Sequence, residues 1–347
     1  MGTPRWLSTM KKNTSWAQPD DETEPPTGIV PVPVDGFAAG VNCVVVSILP
    51  LPERNPSRAP QILLPACNRS AMAAELWASY KQWADVQETL FLDWADPTGQ
   101  YKLSPMQDLP GADFATAFAI CVAYVSFVVI GTLIMKAGVP AIKTSPLQFL
   151  YNPLQVVLCS YMCMEAGILA YRNGYSATPC NAFSAEKPIM GNVMYMFYLS
   201  KILDFFDTIF IILGKKWKQL SFLHVYHHLT IFAIYFMNFR IAYDGDIYAT
   251  IILNGFIHTI MYMYYFVSAH TRDIWWKKYL TAMQLIQFIT MNVQGYLMVS
   301  RSCENFPQKV PVIYLIYIQS LFWLFMNFFI KSYCSKPRKS SDKKKTQ

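Results

Sequence analysis

Seven long apolar stretches restrict this chain more than any other feature of its sequence. Each is roughly 17 to 25 residues long, the length that an α-helix needs to cross a ~30 Å hydrocarbon layer. They lie near residues 114–135, 149–170, 192–213, 222–238, 247–268, 279–299 and 312–331. Because lipid offers no hydrogen-bond partner to the backbone, such segments must be helical. The sequence therefore predicts an all-α integral membrane protein, a bundle of seven transmembrane helices.

The composition agrees with this prediction and excludes an ordinary soluble domain. Hydrophobic residues make up 53% of the 347 residues and charged residues only 15%, whereas soluble domains carry charge on roughly a quarter of their residues. The net charge of +7 does not indicate a nucleic-acid partner, because the basic residues follow the topology. Alternate connections and the C-terminal tail carry fifteen Lys and Arg, and the other connections carry five. The positive-inside rule then predicts a lumenal N-terminus and a cytosolic C-terminus.

Composition also divides the chain into four regions. Eleven of the 22 prolines fall before residue 72, where no helical periodicity is found, and this predicts disorder. The regions are a Pro-rich extension at 1–71, a lumenal pre-membrane segment at 72–111, the seven-helix domain at 112–332 and a basic cytosolic tail at 333–347. The second region contains an amphipathic stretch from Met72 to about Asp96. Both Met1 and Met72 are candidates for the natural start.

Two short signals bear on the cellular compartment. The chain ends Lys-Lys-Thr-Gln at 344–347, the dilysine pattern that returns membrane proteins to the endoplasmic reticulum, although a solvated basic tail explains the same residues. The eight cysteines include no Cys-x-x-Cys pair, so neither a zinc site nor a thioredoxin-type motif is indicated. Cys180 and Cys303 lie in two connections on the predicted lumenal side. Because the lumen is oxidising, we predict that they form a disulfide.

Polar side chains inside the apolar stretches mark the candidate site. A charged side chain near the bilayer centre costs at least ~2.5–3.5 kcal/mol on insertion scales, so such residues are expected to face the interior of the bundle. Each of four sets falls on one face of its helix at the helical repeat. In chain order the sets are Lys201, Asp204, Asp207 and Thr208; His224, His227 and His228; Asn254, His258, Tyr262 and Tyr265; and Thr281, Gln284, Gln287 and Gln294. Four helices are therefore predicted to surround one polar cavity.

A polar stripe also has a purely structural explanation. Hydrogen bonds between helices account for the glutamine stripe alone, and an internal ion pair accounts for Lys201 with the two aspartates. A lone His258 is most simply a buried residue with its hydrogen bonds satisfied. Three imidazoles at i, i+3 and i+4 on one helix face are harder to explain in this way. Four of the five histidines of the chain lie on these stripes, which favours a chemical role.

The four sets resemble, in order and spacing, the motifs of the ELO family of very-long-chain fatty-acid elongases. The motifs are Lys201-x-x-Asp204-x-x-Asp207-Thr208, His224-x-x-His227-His228, His258-x-x-Met261-Tyr262-x-Tyr264-Tyr265 and Thr281-x-x-Gln284-x-x-Gln287. The resemblance covers about residues 112–347. Gln219, shortly before the histidine cluster, resembles the branch that acts on polyunsaturated substrates.

The resemblance implies that a long-chain, polyunsaturated acyl-CoA is condensed with malonyl-CoA to 3-ketoacyl-CoA, CO₂ and CoA. His227 is the candidate nucleophile, forming an acyl-imidazole, and His258 acts on the malonyl unit. The residues expected to assist catalysis are His224, His228, Asp204, Asp207 and Asn254. The residues expected to bind the two CoA substrates are Lys201, Thr208, Lys215, Lys216, Tyr262, Tyr265, Gln284 and Gln287. Direct condensation with histidine as a base remains an alternative, and neither a metal nor a redox cofactor is expected.

The acyl chain is expected to lie in a tunnel between the helices, because burial of apolar carbon contributes roughly 0.8 kcal/mol per methylene. The substrates and membrane lipid are the expected partners. A homodimer and the other enzymes of an elongation cycle, a ketoreductase, a dehydratase and an enoyl reductase, are further candidates. The sequence does not define the chain length or the double bonds that the tunnel accepts.

Two other classes of protein share parts of this pattern. Membrane di-iron desaturases and hydroxylases also contain His-x-x-His-His, but they need about eight histidines to fill two iron coordination spheres, and this chain has five. A seven-helix receptor or transporter would explain the apolar stretches but not the histidine cluster. Both classes remain alternatives to the elongase interpretation.

Overall fold

The computed structural model describes residues 69–99, 101–271, 274–301, 303, 307 and 309–334. The chain divides into two compact units after Trp77, and the first is described only from Arg69 onwards, as the start of a helix. The predicted Pro-rich extension, apart from 69–71, and the dilysine tail lie outside the described residues.

The described residues are helical and contain no strand. The helices are α1 (Arg69–Ala95), α2 (Phe114–Lys136), α3 (Ser145–Arg172), α4 (Gly191–Leu213), α5 (Phe222–Ile241), α6 (Ile247–Ser268), α7 (Lys277–Arg301) and α8 (Val310–Phe329), with a π-helical turn at Ile330–Cys334. Helices α2 to α8 match the seven apolar stretches in order, and α1 covers the amphipathic stretch near Met72. The prediction of an all-α fold is therefore confirmed.

Four of the helices are long and apolar enough to cross a membrane. They are α2, α3, α6 and the continuous segment Val310–Cys334. Helices α4, α5 and α7 are not among them, and each of these three carries one of the polar stripes, such as Lys201, Asp204 and Asp207 on α4. The chain is a multi-pass membrane protein, and the count of seven spans stays a prediction.

Side-chain caps set the start of two helices. Asp113 Oδ1 accepts a hydrogen bond from Thr116 N (2.9 Å) at the start of α2. Ser221 Oγ accepts one from His224 N (3.2 Å) at the start of α5. Caps of this kind satisfy amide groups that have no partner inside the helix. The histidine cluster therefore occupies the first two turns of α5.

Helices α3 and α6 form the most extensive helix pair in the bundle. A Cβ added at Gly255 would lie 3.1 Å from the Cys159 carbonyl oxygen and 3.1 Å from Cys163 Cβ, so glycine allows the two backbones to approach closely. At the same interface the Ser160 hydroxyl donates to Thr259 Oγ1 (3.3 Å). This contact brings α3 against the polar face of α6.

The two ends of the bundle differ in their connections. The end that we name the cysteine end carries the connections 173–190, 242–246 and 302–309, and the opposite end, the basic end, carries 137–144, 214–221 and 269–276. Cys180 and Cys303 form a disulfide at the cysteine end, with their Cα atoms 5.1 Å apart. The predicted pairing is therefore confirmed.

Two aspartates strengthen the cysteine end further. Asp244 accepts hydrogen bonds from two backbone N–H groups of the 173–190 connection, both at 3.0 Å, and from the Tyr175 hydroxyl at 3.3 Å. Asp246 accepts one from Cys180 N (2.8 Å). Burial, together with the nearby Asp244 carboxylate, raises the pKa of Tyr175, so this hydroxyl keeps its proton and remains a donor. Carboxylates thus hold two connections of the cysteine end together beside the disulfide.

Candidate active site

A buried ion pair forms the centre of the polar cluster. Lys201 Nζ lies 3.2 Å from Asp204 Oδ2 and donates a hydrogen bond to Asn254 Oδ1, also at 3.2 Å. Lys201 is 1% exposed and Asp204 2% exposed. The ammonium also lies 4.3 Å from the centroid of the Phe197 ring. Because the two charges neutralise each other, α4 can carry both inside an apolar bundle.

His258 and Tyr262 bring α6 to the same carboxylate. His258 Nδ1 lies 3.9 Å from Asp204 Oδ2, beyond hydrogen-bond distance. The Tyr262 hydroxyl lies 3.0 Å from Asp204 Oδ1 and 2.9 Å from Asp207 Oδ2. A hydroxyl has one proton, so Tyr262 bridges the two carboxylates but donates to only one of them at a time. The ring of Tyr265, which is 39% exposed, meets the edge of the Tyr262 ring at the border of the cluster.

Two residues of α3 also join the cluster, and the sequence analysis did not identify them. Gln155 Nε2 donates to Asp204 Oδ1 and to the Tyr151 hydroxyl, both at 2.9 Å. The Tyr151 hydroxyl in turn donates to the Leu203 carbonyl (3.0 Å). A signal existed in the sequence, since Tyr151, Asn152 and Gln155 place three polar residues within about one turn of an apolar stretch.

The amide of Gln155 is held in one orientation. Its nitrogen must face Asp204 because a carboxylate accepts but does not donate when ionised. Both amide protons are then used, and Gln155 Oε1 is buried with no hydrogen-bond partner among the described residues. Asp204 Oδ1 is bound by Gln155 and Tyr262, which leaves Oδ2 to face Lys201 and His258.

The three histidines of α5 lie beside one another at the start of the helix. The ring centroids of His224 and His228 are 4.3 Å apart, and those of His227 and His228 are 5.6 Å apart. His224 Nε2 lies 2.9 Å from Thr208 Oγ1, which lies 3.1 Å from the Tyr124 hydroxyl of α2. In the described part of the chain, the buried Nδ1 atoms of His227 and His228 have no hydrogen-bond partner.

Four predicted binding residues lie apart from this hydrogen-bonded cluster. Gln287 is buried and its Nε2 donates to Met291 Sδ (3.4 Å), and no hydrogen bond within the described residues joins Gln284 or Gln287 to the ion pair. Lys215 and Lys216 lie in the connection after α4, at the basic end, where Lys216 Nζ donates to Gln148 Oε1 (3.4 Å). The glutamine stripe thus lines a neighbouring part of the bundle, and the two lysines lie outside the helices.

The cluster places the imidazoles of α5 and α6 near a buried lysine–aspartate ion pair. Within the described residues, no group of three or more His, Cys, Asp and Glu has the arrangement of a metal site. Lys201 has three N–H donors, and two are used by Asp204 and Asn254. Among the described residues, no further hydrogen-bond acceptor is found for the third. The arrangement offers a nucleophilic or basic imidazole close to a hydrogen-bond donor that carries positive charge.

The fold and the cluster define an all-helical membrane protein with a buried lysine–carboxylate–histidine site. The profile of the ELO: GNS1/SUR4 family matches residues 109–341. The chain is 36% identical over 232 residues to "Very long chain fatty acid elongase 2" of Rattus norvegicus, covering 65% of this chain and 82% of the relative. It is 33% identical over 229 residues to "Very long chain fatty acid elongase 4" of Homo sapiens, covering 64% and 72%. The chain belongs to the ELO family.

Replacement of Lys201 by Met is expected to destabilise the protein strongly. The substitution leaves Asp204 as a buried charge without its cation, at a cost of about 3–5 kcal/mol. The melting temperature of the purified protein in detergent should fall well below that of the wild type. Lys216→Met, at an exposed lysine, should leave it unchanged, and Lys201→Met combined with Asp204→Asn should recover part of the loss. Equal melting temperatures for Lys201→Met and Lys216→Met would contradict this account of the ion pair.

Proposed function

We propose that this chain condenses a long-chain acyl-CoA with malonyl-CoA to give 3-ketoacyl-CoA, CO₂ and CoA. Membership of the ELO family makes it an acyltransferase of the fatty acid elongase class. The observation that carries the proposal is the close arrangement of three histidines on α5 with the Lys201–Asp204 pair on α4 and His258 on α6. His227 is close enough to Lys201, Asp204 and His258 to interact electrostatically with each of them.

In the first half-reaction His227 acts as the nucleophile. A neutral imidazole nitrogen attacks the thioester carbon, a C–N bond forms, and the C–S bond breaks with the electron pair leaving on the CoA sulfur. The imidazole proton is then released, and protonation of the thiolate gives free CoA and a neutral acyl-imidazole. His227 Nδ1 has no hydrogen-bond partner among the described residues. This supports the role in the tautomer with the proton on Nε2, because the Nδ1 lone pair is then free to attack.

In the second half-reaction the malonyl unit loses CO₂, and its carbanion forms a C–C bond to the acyl carbon. The C–N bond breaks with its electron pair on the ring, which takes up a proton from solvent to restore neutral His227. Negative charge develops on the thioester oxygen of the malonyl unit, and a pre-positioned donor stabilises such charge. In this proposal the third N–H of Lys201 donates a hydrogen bond to this oxygen, and His258 orients the malonyl group. We assign the contacts with the CoA phosphates to Lys215 and Lys216, because Lys201 is buried in its ion pair. Direct condensation, with histidine only as a base, is the competing mechanism.

The acyl chain is proposed to lie between the helices, with its thioester at the histidines and its methyl end towards the cysteine end. Four buried aromatic side chains lie on α4 and α5 between the polar cluster and the cysteine end: Phe197, Tyr198, Phe232 and Tyr235. A polyunsaturated chain is the preferred substrate in this proposal, on the resemblance that includes Gln219. The 3-keto product requires a ketoreductase, a dehydratase and an enoyl reductase before another round of elongation, so these enzymes are proposed partners. A second copy of the chain is a further proposed partner.

The covalent mechanism is testable with one substrate at a time. Incubation with an acyl-CoA alone should release CoA and leave the acyl group on His227, detected by intact-protein and peptide mass spectrometry. A C20 polyunsaturated acyl-CoA should give more adduct than a saturated C16 acyl-CoA. His227→Ala should form no adduct, whereas His258→Ala should retain it and lose condensation. An active wild-type protein without any adduct, under conditions that preserve an acyl-imidazole, would leave direct condensation as the mechanism.

Gln155 is expected to position Asp204 without contacting the substrate. Gln155→Leu removes two hydrogen bonds of the cluster and should lower kcat by roughly 10- to 100-fold, since small displacements in a site have effects of this size. The KM for acyl-CoA should change little. Ser160→Ala is the matched control, because it removes a hydrogen bond that α3 donates to α6 away from the cluster. Wild-type kcat for Gln155→Leu at equal amounts of folded protein would refute the positioning role.

The proposed location is the endoplasmic reticulum membrane, with the N-terminus in the lumen and the C-terminus in the cytosol. The fifteen-to-five distribution of basic residues and the dilysine ending support it. In sealed microsomes, protease added from outside should therefore remove a C-terminal tag. A tag that is protected until detergent is added would show the opposite orientation.

A further inference from the structure

From Tyr80 onwards, helix α1 crosses the cysteine end of the bundle from one helix to the next. The Tyr80 hydroxyl donates to the Ala115 carbonyl (2.7 Å) at the beginning of α2. Further along, Glu88 binds Arg240 at the end of α5. At its last residue, the α1 backbone accepts a hydrogen bond from Lys309 N (3.2 Å), just before α8. All three partners lie where their helices begin or end, so α1 runs along that end of the bundle and not parallel to the other helices.

The inner face of α1 is firmly attached to the bundle. Arg240 Nε donates to Glu88 Oε1 (2.5 Å) and Arg240 Nη2 donates to Glu88 Oε2 (2.9 Å), and both residues are buried. A two-point contact of this kind fixes direction as well as distance. Leu92 adds an apolar contact to a cluster with Met237 and Ile241 of α5. The rotation of α1 about its own axis is therefore set by the protein.

This rotation leaves two other faces of α1 exposed, and they differ in character. At the helical repeat each set of side chains falls within about an 80° arc. The outer face consists of Trp83, Val86, Leu90 and Trp94, which are between 46% and 60% exposed. The polar face consists of Gln82, Asp85, Thr89 and Asp93, all exposed. One helix thus presents a protein-bound face, an apolar face and a polar face.

The outer face continues onto a surface that faces lipid. The Trp83 ring contacts the Phe118 ring of α2, with their centroids 5.6 Å apart. Helix α2 is one of the helices long and apolar enough to cross a membrane, and its Phe118, Val122 and Val125 side chains are exposed. Tryptophan is enriched at the boundary between lipid and water because its ring is apolar and its N–H is polar.

We propose that α1 is an interfacial membrane helix, with its outer face immersed in the lipid at the boundary between headgroups and acyl chains. Helices that lie in this position sink roughly 5–10 Å into the boundary and keep their charged face in water. The polar face of α1 is then in contact with headgroups and water. The ligand of the outer face is the bilayer itself, and the proposal holds whichever acyl-CoA the site accepts.

A fluorescent probe on each face tests this assignment. Leu90→Cys and the matched control Thr89→Cys are labelled with bimane in the full chain, and the labelling of the parent protein is subtracted as background. Each protein is reconstituted into phosphatidylcholine vesicles with bromine at carbons 6 and 7 of the acyl chain, or without bromine. Both positions are exposed, so neither variant should alter the melting temperature. Val86→Cys and Asp85→Cys form a second pair on the same two faces.

The probe at 90 should be quenched by the brominated lipid about twofold more than the probe at 89, because only the outer face lies at acyl-chain depth. Aqueous iodide should quench the two probes in the opposite order. Equal quenching by iodide would overturn the proposal and show that the outer face is in water. Protection of the probe at 90 from both quenchers would also overturn it and would indicate that protein, such as a second copy of the chain, covers the face.

Discussion

The neutralisation of Lys201 by Asp204 is the interaction on which the bundle depends. An uncompensated charge at this depth would oppose membrane insertion, and the pair is 1% and 2% exposed. Neither charge is satisfied by α4 alone, because Asn254 comes from α6 and Gln155 from α3. Correct assembly of three helices is therefore a condition for a stable core. The same requirement brings His258 and Tyr262 to the carboxylate, so that the site forms as a consequence of folding.

Simple sequence patterns predict much of this architecture. The apolar stretches predict α2 to α8 closely because lipid allows only one backbone conformation, although α5 continues to Ile241, three residues past its predicted limit. The stripes on α4, α5 and α6 predict the cluster because charge in an apolar segment has to face inward. The disulfide of Cys180 with Cys303 is predicted because both cysteines lie in connections on the same predicted side of the membrane. These features depend on physical rules that act on each helix separately.

The remaining features depend on how helices meet, which periodicity does not describe. Gln155 lies in the first half of α3, where no residue is charged, so only its neighbours in space reveal its two hydrogen bonds to the site. The glutamines of α7 show that spacing alone does not predict a contact, because their stripe has the helical repeat but lies apart from the ion pair. The attachment of α1 through Glu88 and Arg240 joins residues 152 positions apart. Such contacts require the three-dimensional arrangement of the helices.

The close approach of α3 and α6 at Gly255 affects the geometry of the candidate site. His258 lies three residues further along α6, and Gln155 lies one turn before Cys159 on α3. Any side chain at 255 would press on the Cys159 carbonyl oxygen and on Cys163 Cβ, both only 3.1 Å away, and would act as a steric spacer between the two helices. The 2.9 Å hydrogen bond from Gln155 of α3 to the Asp204 carboxylate tolerates little such separation. Position 255, which has no functional group, thus sets the tolerance with which the site is assembled.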